Sequence, residues 1–126
     1  PKRLLGQLHG NAVRFWSGSN PAHLIVGEGL ENTLSVGTAL PELNLACCLT
    51  ATHLGLFIPP SGIKRIWIAR DNDVAGERAA QTLALKLGSS GIECRHLVPR
   101  LGDFNEDLLA KGKSGLRNGL LAVMEG

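Results

Sequence analysis

Apolar positions along this chain follow two alternating rhythms: short unbroken runs, and longer stretches in which they recur every three or four residues. The run His23-Leu24-Ile25-Val26 leads into Gly27-Glu28-Gly29 and has the character of a parallel strand buried on both faces. From Leu30 the spacing changes, and Leu30, Leu34, Val36, Ala39 and Leu40 mark a helix that Pro41 ends. Residues 45–49 form the next buried strand, residues 50–57 a short helix capped near Thr52, and Ile58-Pro59-Pro60-Ser61-Gly62 a loop. Residues 65–69 are a further strand. Ala79, Leu83 and Leu87, with Ala80 and Ala84 beside them, describe a helix that begins after Asp73 and finishes at Gly88. Residues 92–98 alternate around Arg95, which turns one face to water near a sheet edge. An acidic turn within residues 101–109 enters a short helix, and residues 116–124 form the last one.

Strands alternating with helices predict an α/β fold of Rossmann type, with a central, mainly parallel sheet of about four strands and helices on both faces. Residues 1–22 read as an N-terminal extension in which Ala12-Val13-Arg14-Phe15-Trp16 supplies an extra strand before the loop Ser17-Gly18-Ser19-Asn20-Pro21. The sheet domain occupies residues 23–112, and residues 113–126 add a C-terminal helix.

Composition narrows the class. The 126 residues are 44% hydrophobic and 19% charged, which is ordinary for a single globular domain. No apolar run approaches the ~20 residues that span a bilayer, so a soluble, cytoplasmic protein with no membrane partner is expected. The opening Pro1-Lys2-Arg3 carries no initiator Met and no targeting pattern, and reads as the start of a piece cut from a longer chain. Cys47, Cys48 and Cys94 are odd in number, two of them adjacent, and read as reduced core cysteines rather than a disulfide framework or a zinc site. His9, His23, His53 and His96 are scattered without ligand spacing. The net charge of +2 is unevenly spread: residues 17–60 hold Glu28, Glu31 and Glu42 but no Lys or Arg, whereas residues 61–100 hold seven basic against four acidic residues. Basic flanks about an acidic middle are compatible with a polyanion held near a metal.

The candidate chemistry centres on Arg70-Asp71-Asn72-Asp73-Val74-Ala75-Gly76, where a strand delivers two carboxylates spaced by one residue into the start of a helix. One reading is capping, since Asp and Asn accept hydrogen bonds from the free N–H groups of a first helical turn. The other is a site for a hard cation, because Mg²⁺ takes one or two protein oxygens and keeps its other positions for water and phosphate. Glu28 follows an earlier strand, and Asp103, with Glu106 and Asp107, follows the last. In a parallel sheet those strand ends share one side, and carboxylates gathered there repel one another unless a divalent cation joins them. With no Cys or His spaced to compete, Mg²⁺ or Mn²⁺ is the expected ion. Two rivals fit less well. Gly27-Glu28-Gly29-Leu30-Glu31-Asn32 approaches a dinucleotide fingerprint, but Asn32 replaces the third small residue and no acid closes a second strand. Asp71-x-Asp73 also resembles the nucleophile motif of haloacid-dehalogenase-type phosphatases, which opens its domain after the first strand and leaves Glu28 without a role.

The ordered set Gly27-Glu28-Gly29, Asp71-Asn72-Asp73-Val74-Ala75-Gly76 and Gly102-Asp103-Phe104-Asn105-Glu106-Asp107 resembles the Toprim domain shared by bacterial-type primases, type IA and type II topoisomerases and some nucleases. Gly10-Asn11-Ala12-Val13-Arg14 ahead of it looks most like plasmid and phage primases. The resemblance implies Glu28 as acid/base group and Asp71 with Asp73 as ligands of Mg²⁺ or Mn²⁺, Glu28 near enough to join them and Asp103 as an additional acid. Arg70, Arg78 and Lys64 are candidates to hold phosphates. The implied partners are single-stranded DNA and ribonucleotides, met through the remaining domains of a longer chain. The resemblance implies metal-dependent nucleotidyl or phosphoryl transfer on nucleic acid, as the Toprim catalytic part of a mobile-element DNA primase; topoisomerase- or nuclease-type chemistry, and a non-catalytic Mg²⁺-binding module, are the alternatives. Asn72 stands where replicative primases have Gly, the last motif fits with a one-residue shift, and Glu31 or Asn32 occupies the place of a second acid in the first motif.

Overall fold

The computed structural model describes the backbone of residues 3–9 and 12–16 and the full structure of residues 20–125. Six strands form one sheet in the order β1-β2-β4-β3-β5-β6. β3 (His23–Glu28), β4 (Leu45–Cys48), β5 (Arg65–Ala69) and β6 (Glu93–Leu97) are mutually parallel. β2 (Ala12–Trp16) runs antiparallel to β4, and β1 (Arg3–His9) antiparallel to β2. The four-stranded parallel core and the extra strand over residues 12–16 are as the sequence predicts. β1 is an addition, in a segment whose polar, glycine-spaced pattern carries no strand signal.

The parallel strands are apolar because helices cover both faces. α2 (Ala51–Gly55) and α3 (Val74–Gly88) pack on one face, where Leu24, Val26, Ile66 and Ile68 meet Leu54, Phe57, Leu83 and Leu87. α1 (Leu30–Ala39) and α4 (Phe104–Glu125) cover the other, where Ile25, Leu45 and Trp67 meet Val36, Leu40, Phe104, Leu116 and Leu120. Cys47 and Cys48 enter opposite cores as free, buried thiols, and burial, with the charges of its neighbours, pushes Cys48 up to about 12. α4 contains the two expected helical stretches, joined at Gly112, which breaks the regular geometry with φ 75°. β6 lies at the sheet edge and alternates in exposure, as its sequence pattern predicts.

α1 departs from expectation. Leu30 and Leu34 face water, and the inward positions are Asn32, Thr33, Ser35, Val36, Gly37 and Ala39. The cause lies in Gly27, on the strand beneath: a Cβ there would stand 2.2 Å from Thr33 Oγ1, so the missing side chain lets the helix settle onto β3 along its small, polar side. Thr33 completes the fit by donating its hydroxyl to the Gly29 carbonyl at 2.8 Å.

Candidate functional site

Connections leave neighbouring β3 and β5 toward opposite faces, β3 into α1 and β5 into α3. The carboxyl ends of two such strands border a crevice, the usual ligand position in an open α/β sheet. Glu28 ends β3, and Asp71 follows β5 by two residues. The expected acids therefore converge at a crevice that the topology opens between β3 and β5.

Each acid is held by a different local device. Asp73 is the N-cap of α3, its Oδ1 accepting from the Gly76 N–H at 2.6 Å. Gly76 is required there, since a Cβ would stand 2.8 Å from the Asp71 carbonyl oxygen and 3.0 Å from Asp73 Oδ1. Both readings of the Asp-Asn-Asp motif are thus compatible: Asp73 caps with one oxygen and keeps the other. Asp71 accepts at Oδ1 from the side-chain amide of Asn32 at 3.1 Å. Asn72 fastens the turn to the segment before α4, donating its backbone N–H to Gly102 O at 2.9 Å and its side chain to Leu101 O at 3.3 Å.

The electrostatics show crowding. Burial raises the pKa of Glu28, and the charges of Asp71 and Asp73 raise it further. Burial likewise raises Asp71, with Asp73 and then Asp103 adding to the shift. Glu28 Oε1 is buried and has no hydrogen-bond partner among the described residues. Carboxyls pushed upward by one another, with one oxygen unsatisfied, are what a divalent cation would relieve. Among the described residues no group of three or more His, Cys, Asp or Glu side chains could hold an ion by itself. A pair of carboxylates completed by water and phosphate is, however, the ordinary way of binding Mg²⁺, so the residues present fit that ion.

Of the third acidic segment, Asp103 alone is near enough to act on Asp71. Its Oδ1 also accepts from the Glu106 N–H at 2.8 Å, which starts α4. Glu106 and Asp107 are spent on the loop: Glu106 accepts from Gly102 N–H at 3.0 Å, and buried Asp107 accepts from Arg100 and Leu101 N–H at 2.8 and 2.9 Å. Arg70 lies beside the acids, donating Nη1 to the Asp71 carbonyl at 3.1 Å, while its Nε is buried without a partner among the described residues. His96 is close to it, and burial, reinforced by the Arg70 charge, lowers the His96 pKa. Arg78 is exposed on α3, bordering a groove shared with α2. Lys64 precedes β5 and so stands at the amino end of the sheet, opposite the acids. The structure does not bring it to the site.

Asn32 is the residue that sequence leaves undecided, since either it or Glu31 could replace the acid of the first motif. Glu31 is exposed, whereas Asn32 is buried at the crevice. The available signal was its position in the first turn of α1, directly after the strand end that carries Glu28.

The Toprim domain family profile matches residues 23–114. No curated protein sequence matches the chain significantly. Among solved structures, the primase fragment of the bacteriophage T7 primase-helicase protein superposes with a TM-score of 0.65 at 18% identity, over 91% of this chain and 51% of that one. A DNA primase domain from Pseudomonas aeruginosa superposes with a TM-score of 0.62 at 20% identity, over 90% of this chain and 39% of that one. The chain thus spans about half the length of the first of these proteins and less of the second.

Proposed function

Because the chain belongs to the Toprim domain family, we propose that it is the metal-binding catalytic part of a primase-like nucleotidyl transferase, joining ribonucleotides on single-stranded DNA within a longer mobile-element protein. The observation that carries this reading is the convergence of Glu28, Asp71 and Asp73 at the crevice between β3 and β5, with two of the three carboxyls raised by burial and mutual repulsion. Bound there, Mg²⁺ or Mn²⁺ would neutralise phosphate charge and stabilise attacking and leaving oxygens. Asp71 and Asp73 would hold the ion, and Asp103 adds negative charge beside them. Glu28, whose raised pKa favours proton uptake, is suited to take and return a proton at its carboxylate. The guanidinium of Arg70, whose Nη1 donates to the Asp71 carbonyl, would receive a phosphate, and Arg78 would offer a second cation on α3.

The test is primer synthesis by the parent protein carrying Glu28→Gln or Asp71→Asn. Both variants should lose metal-dependent synthesis by more than about a hundred-fold, the scale of a lost acid/base group. Undiminished synthesis would make the acids structural. Loss of nicking or relaxation instead would keep the site but assign it topoisomerase- or nuclease-type chemistry.

A further inference from the structure

Asn32 is buried, with 6% of its surface exposed, and three of the four hydrogen-bonding directions of its amide are used. Nδ2 donates to the Glu28 carbonyl at 3.3 Å and to Asp71 Oδ1 at 3.1 Å, while Oδ1 accepts from the Phe104 N–H at 2.5 Å. The arrangement fixes which way the amide points, because turning it over would set its oxygen against two acceptors and its nitrogen against a donor. One side chain thereby joins the ends of all three acidic motifs. It also commits Asp71 Oδ1, and no hydrogen bond among the described residues reaches Asp71 Oδ2. Asp73 is in the same state, with Oδ1 committed to the Gly76 N–H and no hydrogen bond among the described residues reaching Oδ2. The pair therefore presents one oxygen from each carboxylate.

We propose that Asn32 is a positioning residue that restricts Asp71 to single-oxygen coordination and so makes the site prefer Mg²⁺ to Ca²⁺. The inference rests on the metal-centre reading above. Mg²⁺ demands near-octahedral geometry and accepts single oxygens from one or two carboxylates, whereas Ca²⁺ takes more ligands and readily grips both oxygens of a carboxylate. An amide donor on Asp71 Oδ1 penalises the second mode and leaves the first untouched. Asn is the side chain that meets all three demands here. Asp would place an acceptor against the Glu28 carbonyl and Asp71, and Ser or Thr would supply a single hydroxyl.

Calorimetric titration of the whole chain with Mg²⁺ and with Ca²⁺ tests this, comparing wild type, Asn32→Ala and Asn32→Asp. Asn32→Ala should weaken Mg²⁺ by about ten- to a hundred-fold, as loss of a supporting hydrogen bond typically does, and weaken Ca²⁺ far less. Asn32→Asp keeps an acceptor for Phe104 and should bind Ca²⁺ more tightly than wild type. A Mg²⁺-to-Ca²⁺ preference unchanged in both variants overturns the proposal, and absence of Mg²⁺ binding by wild type overturns the metal-centre reading itself. Should the variants fail to fold, the side-chain amide resonance of Asn32 in the wild-type protein decides. It should shift as Mg²⁺ saturates the site yet keep slow hydrogen exchange; a resonance indifferent to Mg²⁺, or one exchanging like a free amide, contradicts the role.

Discussion

Glu28 and Asp71 are harder to ionise in the folded chain than in the unfolded one, chiefly because they are partly buried and secondarily because of neighbouring carboxylates. A carboxyl whose pKa is higher when folded binds more protons in the native state, so its contribution to stability is greatest below the unfolded pKa and is lost as pH rises through the folded value. In the presence of a chelator, stability to urea should therefore fall as pH climbs from about 4, the ordinary carboxylate range. Asp71→Asn should flatten that decline and make the metal-free protein more stable at neutral pH. Denaturant midpoints across pH would show it, and an unchanged slope would mean that the crowding carries no energetic weight. At this scale the acids were legible, since strand-terminal carboxylates have few other reasons to recur three times. Asn32 was not, because an Asn within a helix ordinarily reads as solvated, and its burial follows from how the helix is rotated about its own axis.

That rotation belongs to the element. Spacing alone assigns Leu30 and Leu34 to the inner face of α1, yet both are exposed while Thr33 and Val36 are buried. Helical periodicity is satisfied by more than one face when small and polar residues lie between the leucines. What selects the face is the absent Cβ of Gly27, a contact between two elements that no single-element pattern contains. Gly27→Ala should consequently lift α1 from β3 and cost about 1–3 kcal/mol, the range for overpacking a close contact. Urea denaturation checks this, and a midpoint equal to wild type would mean that the helix is seated by other contacts. The cap of α2 lies two residues from its expected place: Thr50 Oγ1, not Thr52, accepts from His53 N–H at 3.1 Å, and Thr52 lies within the helix.

Across the whole molecule, alternation of strands and helices was enough to give the parallel core, because each crossover is local in sequence. The sheet's far edge was only half legible, since β2 has an apolar pattern whereas β1 is defined by its pairing with β2. Charge placement follows from the strand expected over residues 65–69, which separates Lys64 from Arg70 and leaves Lys64 at the amino end of β5, away from the acids it was expected to join. Among the described residues no helix is long and apolar enough to cross a membrane. With Arg70 beside the acids and Arg78 exposed on α3, binding of single-stranded DNA by this chain alone should be weak and should fall steeply with salt, because such contacts release counterions. Fluorescence anisotropy at two salt concentrations would show the dependence. Salt-independent binding would point to contacts other than phosphates.

The central proposal is that Asp71 and Asp73, with Glu28 beside them, hold a divalent cation. Electron paramagnetic resonance tests it most directly, by following the signal of free Mn²⁺ as protein is added and then as Mg²⁺ competes. Wild type should deplete the free signal and release it to Mg²⁺, whereas Asp71→Asn combined with Asp73→Asn, folded by circular dichroism, should leave the signal untouched. Equal depletion by the two proteins would place any bound ion elsewhere and contradict the account.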